Sequence, residues 1–151
     1  MKRIVAVTLA SILLTPLAAA RAKTLVFCSE GNPEALNPQL ATTTTGMNAA
    51  RPIFNNLVEF EPGTTKLMPA LAQSWTISED GTVYTFKLRP GVKFHESRTF
   101  HPTRTLNADD VLFSLMRQWK QDHPFHKISG ATYDYFQDLA MASMLKGIEK
   151  V

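Results

Sequence analysis

The chain has 151 residues, with 16 basic and 13 acidic side chains and a formal net charge of +3 at pH 7. The length alone suggests one domain. The excess basic residues, Lys2, Arg3 and Arg21, all lie in the first 22 positions, and the rest of the chain has 13 basic and 13 acidic residues. Because this remainder is formally neutral, the charge gives no support for nucleic-acid binding.

Residues 1–22 have the three-part pattern of a secretory signal peptide. Two basic residues precede an apolar run over residues 4–14, and a segment of small residues follows. The alternative is a membrane anchor, but the run is shorter than the roughly 20 apolar residues that a span needs. We therefore predict export and cleavage after Ala22, with Ala20 as the end of a competing site.

The first part of the exported segment predicts one strand, one loop and one helix. Residues 24–28 favour a first strand, and residues 29–38 contain the turn formers of a loop. A helix is predicted next from apolar residues at the spacing i, i+3, i+4 and i+7, namely Ala50, Ile53, Phe54 and Leu57. Pro52 limits where the first turn of this helix can begin.

Two strand–turn patterns come next. Residues 58–60 predict a short strand that turns at residues 61–63. Residues 84–88 alternate apolar and polar side chains, which predicts a half-buried strand. Asp80-Gly81 supplies the residue with positive φ that a tight hairpin turn needs, and Pro90-Gly91 fits a type II turn. We expect a β-hairpin here, with its aromatic residues in a core: Trp75, Tyr84, Phe86 and Phe94.

A capped helix follows a polar loop over residues 97–105. Asn107 is a favourable N-cap residue, and Asp109 and Asp110 place negative charge in the first helical turn. The apolar face of this helix is formed by residues at helical spacing, namely Leu112, Leu115, Met116 and Trp119. Beyond it we expect a loop from Gly130 through Phe136 and a further strand over residues 147–151.

Taken together, these motifs resemble the periplasmic oligopeptide- and dipeptide-binding proteins that serve ABC importers. The resemblance extends from Lys23 to about Tyr135, and relatives that bind haem or antimicrobial peptides share the same motifs. It rests on Phe27-Cys28-Ser29-Glu30-Gly31, Leu36-Asn37-Pro38-Gln39, the stretch from Ala70 to His95, Leu106-Asn107-Ala108-Asp109-Asp110-Val111 and Pro124-Phe125-His126-Lys127.

The resemblance implies an α/β fold, with this chain forming part of the first lobe of a two-lobed binding protein, a mixed sheet with helices. Residues 23–151 would then be the N-terminal part of a longer solute-binding protein. It would bind a dipeptide or short peptide, or haem, between its lobes and deliver the ligand to an inner-membrane ABC permease. We expect a monomer without a cofactor and without enzymatic activity.

The four-threonine run contains the best candidates for ligand contact. In the resembled family an extended peptide pairs with main-chain groups of a strand here, and Thr42, Thr43 and Thr44 match that segment. β-Branched residues favour the extended backbone that such pairing requires. The alternative is a solvated polar loop. The run departs from the family pattern, since Gly46 and Met47 stand where the dipeptide binders carry Thr and Tyr.

Cys28 is the only cysteine in the chain. An unpaired cysteine in an exported protein suggests a partner elsewhere. The resemblance implies a disulfide to a cysteine outside this segment, and the alternative is a buried free thiol.

Three kinds of catalytic or metal chemistry have weak support in the sequence. The histidines, His95, His101, His123 and His126, show no spacing that would bring three or four ligands together on one metal. Asp109 and Asp110 are adjacent on a helix, so they do not face each other as an acid–base pair would. Ser114 has no nearby base. A secreted hydrolase and a truncated chain without function remain as alternatives to a binding protein.

Overall fold

The computed structural model describes residues 24, 26–130 and 132–151. Within them the chain forms four α-helices, one 3₁₀ turn at Ile128–Gly130 and four strands arranged as two separate hairpins. The elements are α1 (Thr44–Ala50), β1 (Val58–Phe60), β2 (Leu67–Pro69), β3 (Ala72–Ile77), β4 (Tyr84–Leu88), α2 (Ala108–Trp119), α3 (Asp134–Asp138) and α4 (Met141–Met144). No helix among these residues has the length and apolar character to cross a membrane.

Strands β1 and β2 form the first hairpin and confirm the strand predicted over residues 58–60. They pair antiparallel, with Val58 opposite Pro69 and Phe60 opposite Leu67. The amide of Glu61 donates to the carbonyl of Lys66 at 2.9 Å, and Gly63 adopts φ +77° in the turn between them. The predicted turn at residues 61–63 is therefore confirmed.

Strands β3 and β4 form the longer hairpin that the Asp80-Gly81 and alternation patterns predict. They pair antiparallel, with Trp75 opposite Phe86 and Ile77 opposite Tyr84. Gly81 has φ +71°, a left-handed conformation that glycine adopts without a steric penalty. Gly91 also has φ +71°, as the type II turn requires.

Helix α2 begins at the residue that the sequence predicts. The side chain of Asn107 accepts a hydrogen bond from the amide of Asp109 at 2.9 Å, and Asp110 Oδ2 accepts from the amide of Asn107 at 2.9 Å. The side chains of Asn107 and Asp110 together form a capping box. The predicted apolar face is half-buried along its length.

Four predicted elements are wrong. Among the described positions of the predicted first strand, 24 and 26–28, no residue is paired in a sheet. The predicted helix through residue 57 does not form, because α1 ends at Ala50 and Pro52 lacks the N–H that would continue it. The loop expected from Gly130 through Phe136 contains the start of α3, and residues 147–151 form no strand.

The buried core of the described residues is small. Its apolar members are Ala41, Ala50, Ala72, Tyr133 and Phe136. The expectation that the hairpin aromatics lie in a core is wrong for Tyr84 and Phe86, which are 56% and 37% exposed. Trp75 and Phe94 are half-buried. Alternation identifies the side of a strand that is apolar, but burial also requires a second element to pack against that side.

Candidate functional site

The threonine segment combines a short extended stretch with the start of a helix. Thr43 is the N-cap residue of α1, with φ −96° and ψ 154°, and its hydroxyl accepts a hydrogen bond from the amide of Gly46 at 3.1 Å. Thr44 is the first residue of the helix. The expectation of an extended strand through Thr44 is therefore wrong, because a threonine side chain that caps a helix competes with strand formation.

The carboxylate of Glu34 binds three donors of this segment. Its Oε1 accepts hydrogen bonds from the amides of Thr42 at 2.6 Å and Thr43 at 2.7 Å, and its Oε2 accepts from the Thr43 hydroxyl at 2.5 Å. The Thr43 hydroxyl, followed by the main-chain amides of Thr43, Glu34 and Thr42, lowers the pKa of Glu34 to about 2. Glu34 is thus ionised throughout the physiological pH range, and its bonds to the segment are charge-assisted.

Gly46 lies directly against the Glu34 carboxylate. A Cβ atom added at Gly46 would stand 2.5 Å from Glu34 Oε2 and 2.9 Å from its Cδ. Atoms of this kind do not approach so closely, so a side chain at position 46 would displace the carboxylate. The absence of a side chain at Gly46 therefore makes room for the contact between Glu34 and the threonine segment.

This arrangement determines which groups the segment can offer to a ligand. The amides of Thr42 and Thr43 are occupied by Glu34, and the carbonyl of Thr43 accepts the amide of Met47 at 3.0 Å. Strand addition through these groups is therefore unavailable in this conformation. The side chains of Thr42 and Thr44 are exposed, and their hydroxyls can both donate and accept.

Cys28 is exposed and unpaired in the described part of the chain. The thiol is not buried by the described residues, and a disulfide to a cysteine outside this segment stays a prediction. The predicted signal peptide and its cleavage site at Ala22 lie outside the described residues.

The histidines make separate local contacts. His101 Nδ1 lies 2.7 Å from Glu96 Oε1 on the surface, whereas His126 is buried with its Nδ1 2.6 Å from the carbonyl oxygen of Arg117. Across residues 24, 26–130 and 132–151, no group of three or more His, Cys, Asp or Glu side chains is placed to hold a metal ion.

The two adjacent aspartates bind different partners. Arg104 donates to both oxygens of Asp110, at 2.7 and 2.9 Å, and Lys150 donates to Asp109 Oδ1 at 2.6 Å. The hydrogen bonds from Arg104, together with the amide of Asn107, lower the pKa of Asp110. The pair therefore supports the start of α2, in agreement with the capping interpretation.

Comparison with known proteins identifies the family. A model of the bacterial extracellular solute-binding proteins, family 5 Middle, matches residues 66–151. The chain belongs to this family of solute-binding proteins. The resemblance inferred from the sequence motifs is thereby confirmed.

Two similar proteins agree with this assignment. The dipeptide-binding protein of Escherichia coli K12 is 49% identical over 144 residues, which cover 95% of this chain and 27% of the relative. Heme-binding protein A of Haemophilus influenzae is 48% identical over 129 residues, 85% of this chain and 24% of the relative. The chain spans about a quarter of the length of these relatives.

A solved structure confirms the fold class. The dipeptide-binding protein from Pseudoalteromonas sp. SM9913, in complex with Met-Leu, superimposes with a TM-score of 0.76 and 38% sequence identity. The match covers 82% of this chain and 25% of that protein. The mixture of helices and hairpins described above is therefore the fold of one part of a periplasmic binding protein.

Sequence reasoning selected the threonines but missed Glu34 and Gly46, which determine their conformation. Glu34 lies eight residues before Thr42, a separation that follows neither helical nor strand periodicity. One local signal was present, because a glycine within the first turn of a helix, after a capping threonine, suggests close approach of another group.

Proposed function

We propose that this chain is the N-terminal part of an exported solute-binding protein that captures dipeptides or short peptides and delivers them to an ABC permease. The 49% identity to a dipeptide-binding protein over 95% of the chain is the observation that supports this most strongly. The superposition on a relative that holds Met-Leu adds support from the fold. On this proposal the protein is not an enzyme, and its ligand leaves unchanged.

The proposed mechanism is closure of two lobes around the ligand. Residues 23–151 would contribute to the first lobe, and the remainder of the longer protein would contribute the second. Closure excludes water, which strengthens each hydrogen bond to the ligand, and the closed shape is what the permease recognises. We expect the complete protein to act as a monomer in the periplasm, with residues 1–22 removed and Cys28 paired to a cysteine outside this segment.

We further propose that the threonine segment contacts the ligand through side chains. Thr42 and Thr44 are exposed to solvent and can offer their hydroxyls to a ligand, whereas the Thr42 and Thr43 amides already donate hydrogen bonds to Glu34. Such hydroxyls bind a peptide directly or through an ordered water. This replaces the main-chain pairing expected from the sequence.

The proposed function is tested by calorimetric titration of the complete, exported protein that contains this chain. Dipeptides, a tetrapeptide, free amino acids and haem are the ligands. We expect dipeptides to bind more tightly than free amino acids and haem. Heme-binding protein A is nearly as similar as the dipeptide-binding protein, so haem is the second candidate ligand. Tight binding of haem with no dipeptide binding would overturn the proposal in favour of that candidate.

The contribution of the threonine segment is tested by replacing Thr44 with valine, which has the same shape but lacks the hydroxyl. We expect Thr44→Val to weaken dipeptide binding about fivefold, since one hydrogen bond contributes about 0.5–1.5 kcal/mol. The matched control is Thr76→Val, at an exposed threonine of strand β3. Equal affinities for the two variants would remove Thr44 from the site.

A further inference from the structure

We propose that Glu34 is a positioning residue for ligand binding, which occupies the Thr42 and Thr43 amides and so directs the Thr42 and Thr44 hydroxyls to the ligand. This inference rests on the proposed peptide-binding function. It assigns a role to a residue that makes no contact with the ligand itself. On this inference the segment recognises the ligand through threonine hydroxyl groups and not through main-chain pairing.

The contacts of Glu34 make it the main constraint on the segment. Three donors from two consecutive residues converge on one carboxylate, all within 2.5–2.7 Å. The acceptor is ionised, and hydrogen bonds to an ionised acceptor are about twice as strong as those between neutral groups. A neutral peptide carbonyl that approached the same amides would have to displace a charged competitor.

The Thr43 hydroxyl connects Glu34 to the start of helix α1. It donates to Glu34 Oε2 and at the same time accepts from the amide of Gly46. The position of the carboxylate therefore selects the rotamer that caps the helix. Because Thr44 is the first residue of that helix, its side-chain direction follows from the same contact. A segment fixed in this way loses less conformational entropy when a ligand binds.

Gly46 provides an independent way to disturb the same contact. A methyl group at this position would overlap the Glu34 carboxylate and push it away from the threonines, while leaving every atom of Glu34 present. Glu34 and Gly46 should therefore act as one unit. Changing either residue should have the same effect on the ligand, and changing both should add little.

The test uses the complete protein and a dipeptide that the unaltered protein binds in calorimetry. We expect Glu34→Ala and Gly46→Ala each to weaken binding about tenfold, and the double variant to bind as the single variants do. Glu34→Gln, which keeps one acceptor oxygen for the two amides, should lie between the unaltered protein and Glu34→Ala. The control is Glu30→Gln, at an exposed carboxylate outside the contact.

A double-mutant cycle of Glu34 and Thr44 separates a positioning role of Glu34 from a general loss of structure. If Glu34 acts through the Thr44 hydroxyl, Thr44→Val should weaken binding in the unaltered protein and have no further effect once Glu34→Ala is present. Independent, multiplying effects of the two changes, or unchanged affinity in Glu34→Ala, would overturn the inference. If Glu34→Ala does not fold, the same cycle with Glu34→Gln decides the matter. Absence of dipeptide binding by the unaltered protein would instead refute the proposed function.

Discussion

Replacement of Gly81 by valine should destabilise the β3–β4 hairpin through the backbone alone. Gly81 has φ +71°, and a Cβ added there would meet no heavy atom within 4 Å. The added Cβ atom itself therefore causes no clash. The cost is that of holding a β-branched residue in the left-handed region, roughly 1–3 kcal/mol. Gly81→Asn should cost less, because asparagine tolerates this conformation.

Amide hydrogen exchange in the complete protein measures this cost locally. The amide of Ser78 donates to the carbonyl of Val83 at 2.9 Å across the turn, so its exchange reports on opening of the hairpin. A destabilisation of roughly 1–3 kcal/mol corresponds to exchange that is roughly 5 to 150 times faster. We expect the rates to rise in the order Gly81→Asn, then Gly81→Val.

The control is Thr82→Val, which places the same side chain one residue later in the turn. It removes one exposed hydrogen bond, from the Thr82 hydroxyl to Asp80 Oδ2 at 2.7 Å. Its effect on exchange should therefore be smaller than that of Gly81→Val. Equal exchange rates in the two valine variants would show that positive φ at Gly81 carries no steric cost for valine.

Three further predictions concern other parts of the chain. The hydroxyl of Ser78, with that of Thr82, lowers the pKa of Asp80 to about 2. The stability that Asp80 contributes should therefore be complete above its ordinary pKa and lost as pH falls through about 2. Carboxyl NMR titration should show that the pKa of Asp80 rises in Ser78→Ala. Asn107→Ala should destabilise α2 by about 0.5–2 kcal/mol, measured by hydrogen exchange of the helix, and an unchanged rate would contradict the role of the cap. N-terminal sequencing of periplasmic protein should give Lys-Thr-Leu-Val, as cleavage after Ala22 requires, and recovery of intact Met1 from the membrane fraction would contradict export.

The elements that sequence reasoning predicted correctly depend on chemistry within a few residues. Gly81 and Gly91 are placed by their neighbours in a turn, and Asn107 caps the helix that begins one residue later. In each case the residue that determines the backbone lies within three positions of the backbone that it determines. Such features can be predicted from one sequence because no distant partner is needed.

The features that sequence reasoning missed depend on a partner that is distant along the chain. The extended stretch predicted through Thr44 ends at Thr43 because Glu34 and the N-cap together stabilise the start of a helix. Similarly, alternation along β4 correctly gave a strand, but Tyr84 remains exposed because no described element packs on it.

The sequence by itself therefore determined the turns and the capped helix through local chemistry, and its motifs indicated the family. The tertiary structure decided which groups of the threonine segment face outward. The physical reason is that a hydrogen-bonded main-chain donor is no longer available to a ligand, and only the folded chain shows that Glu34 reaches the Thr42 and Thr43 amides.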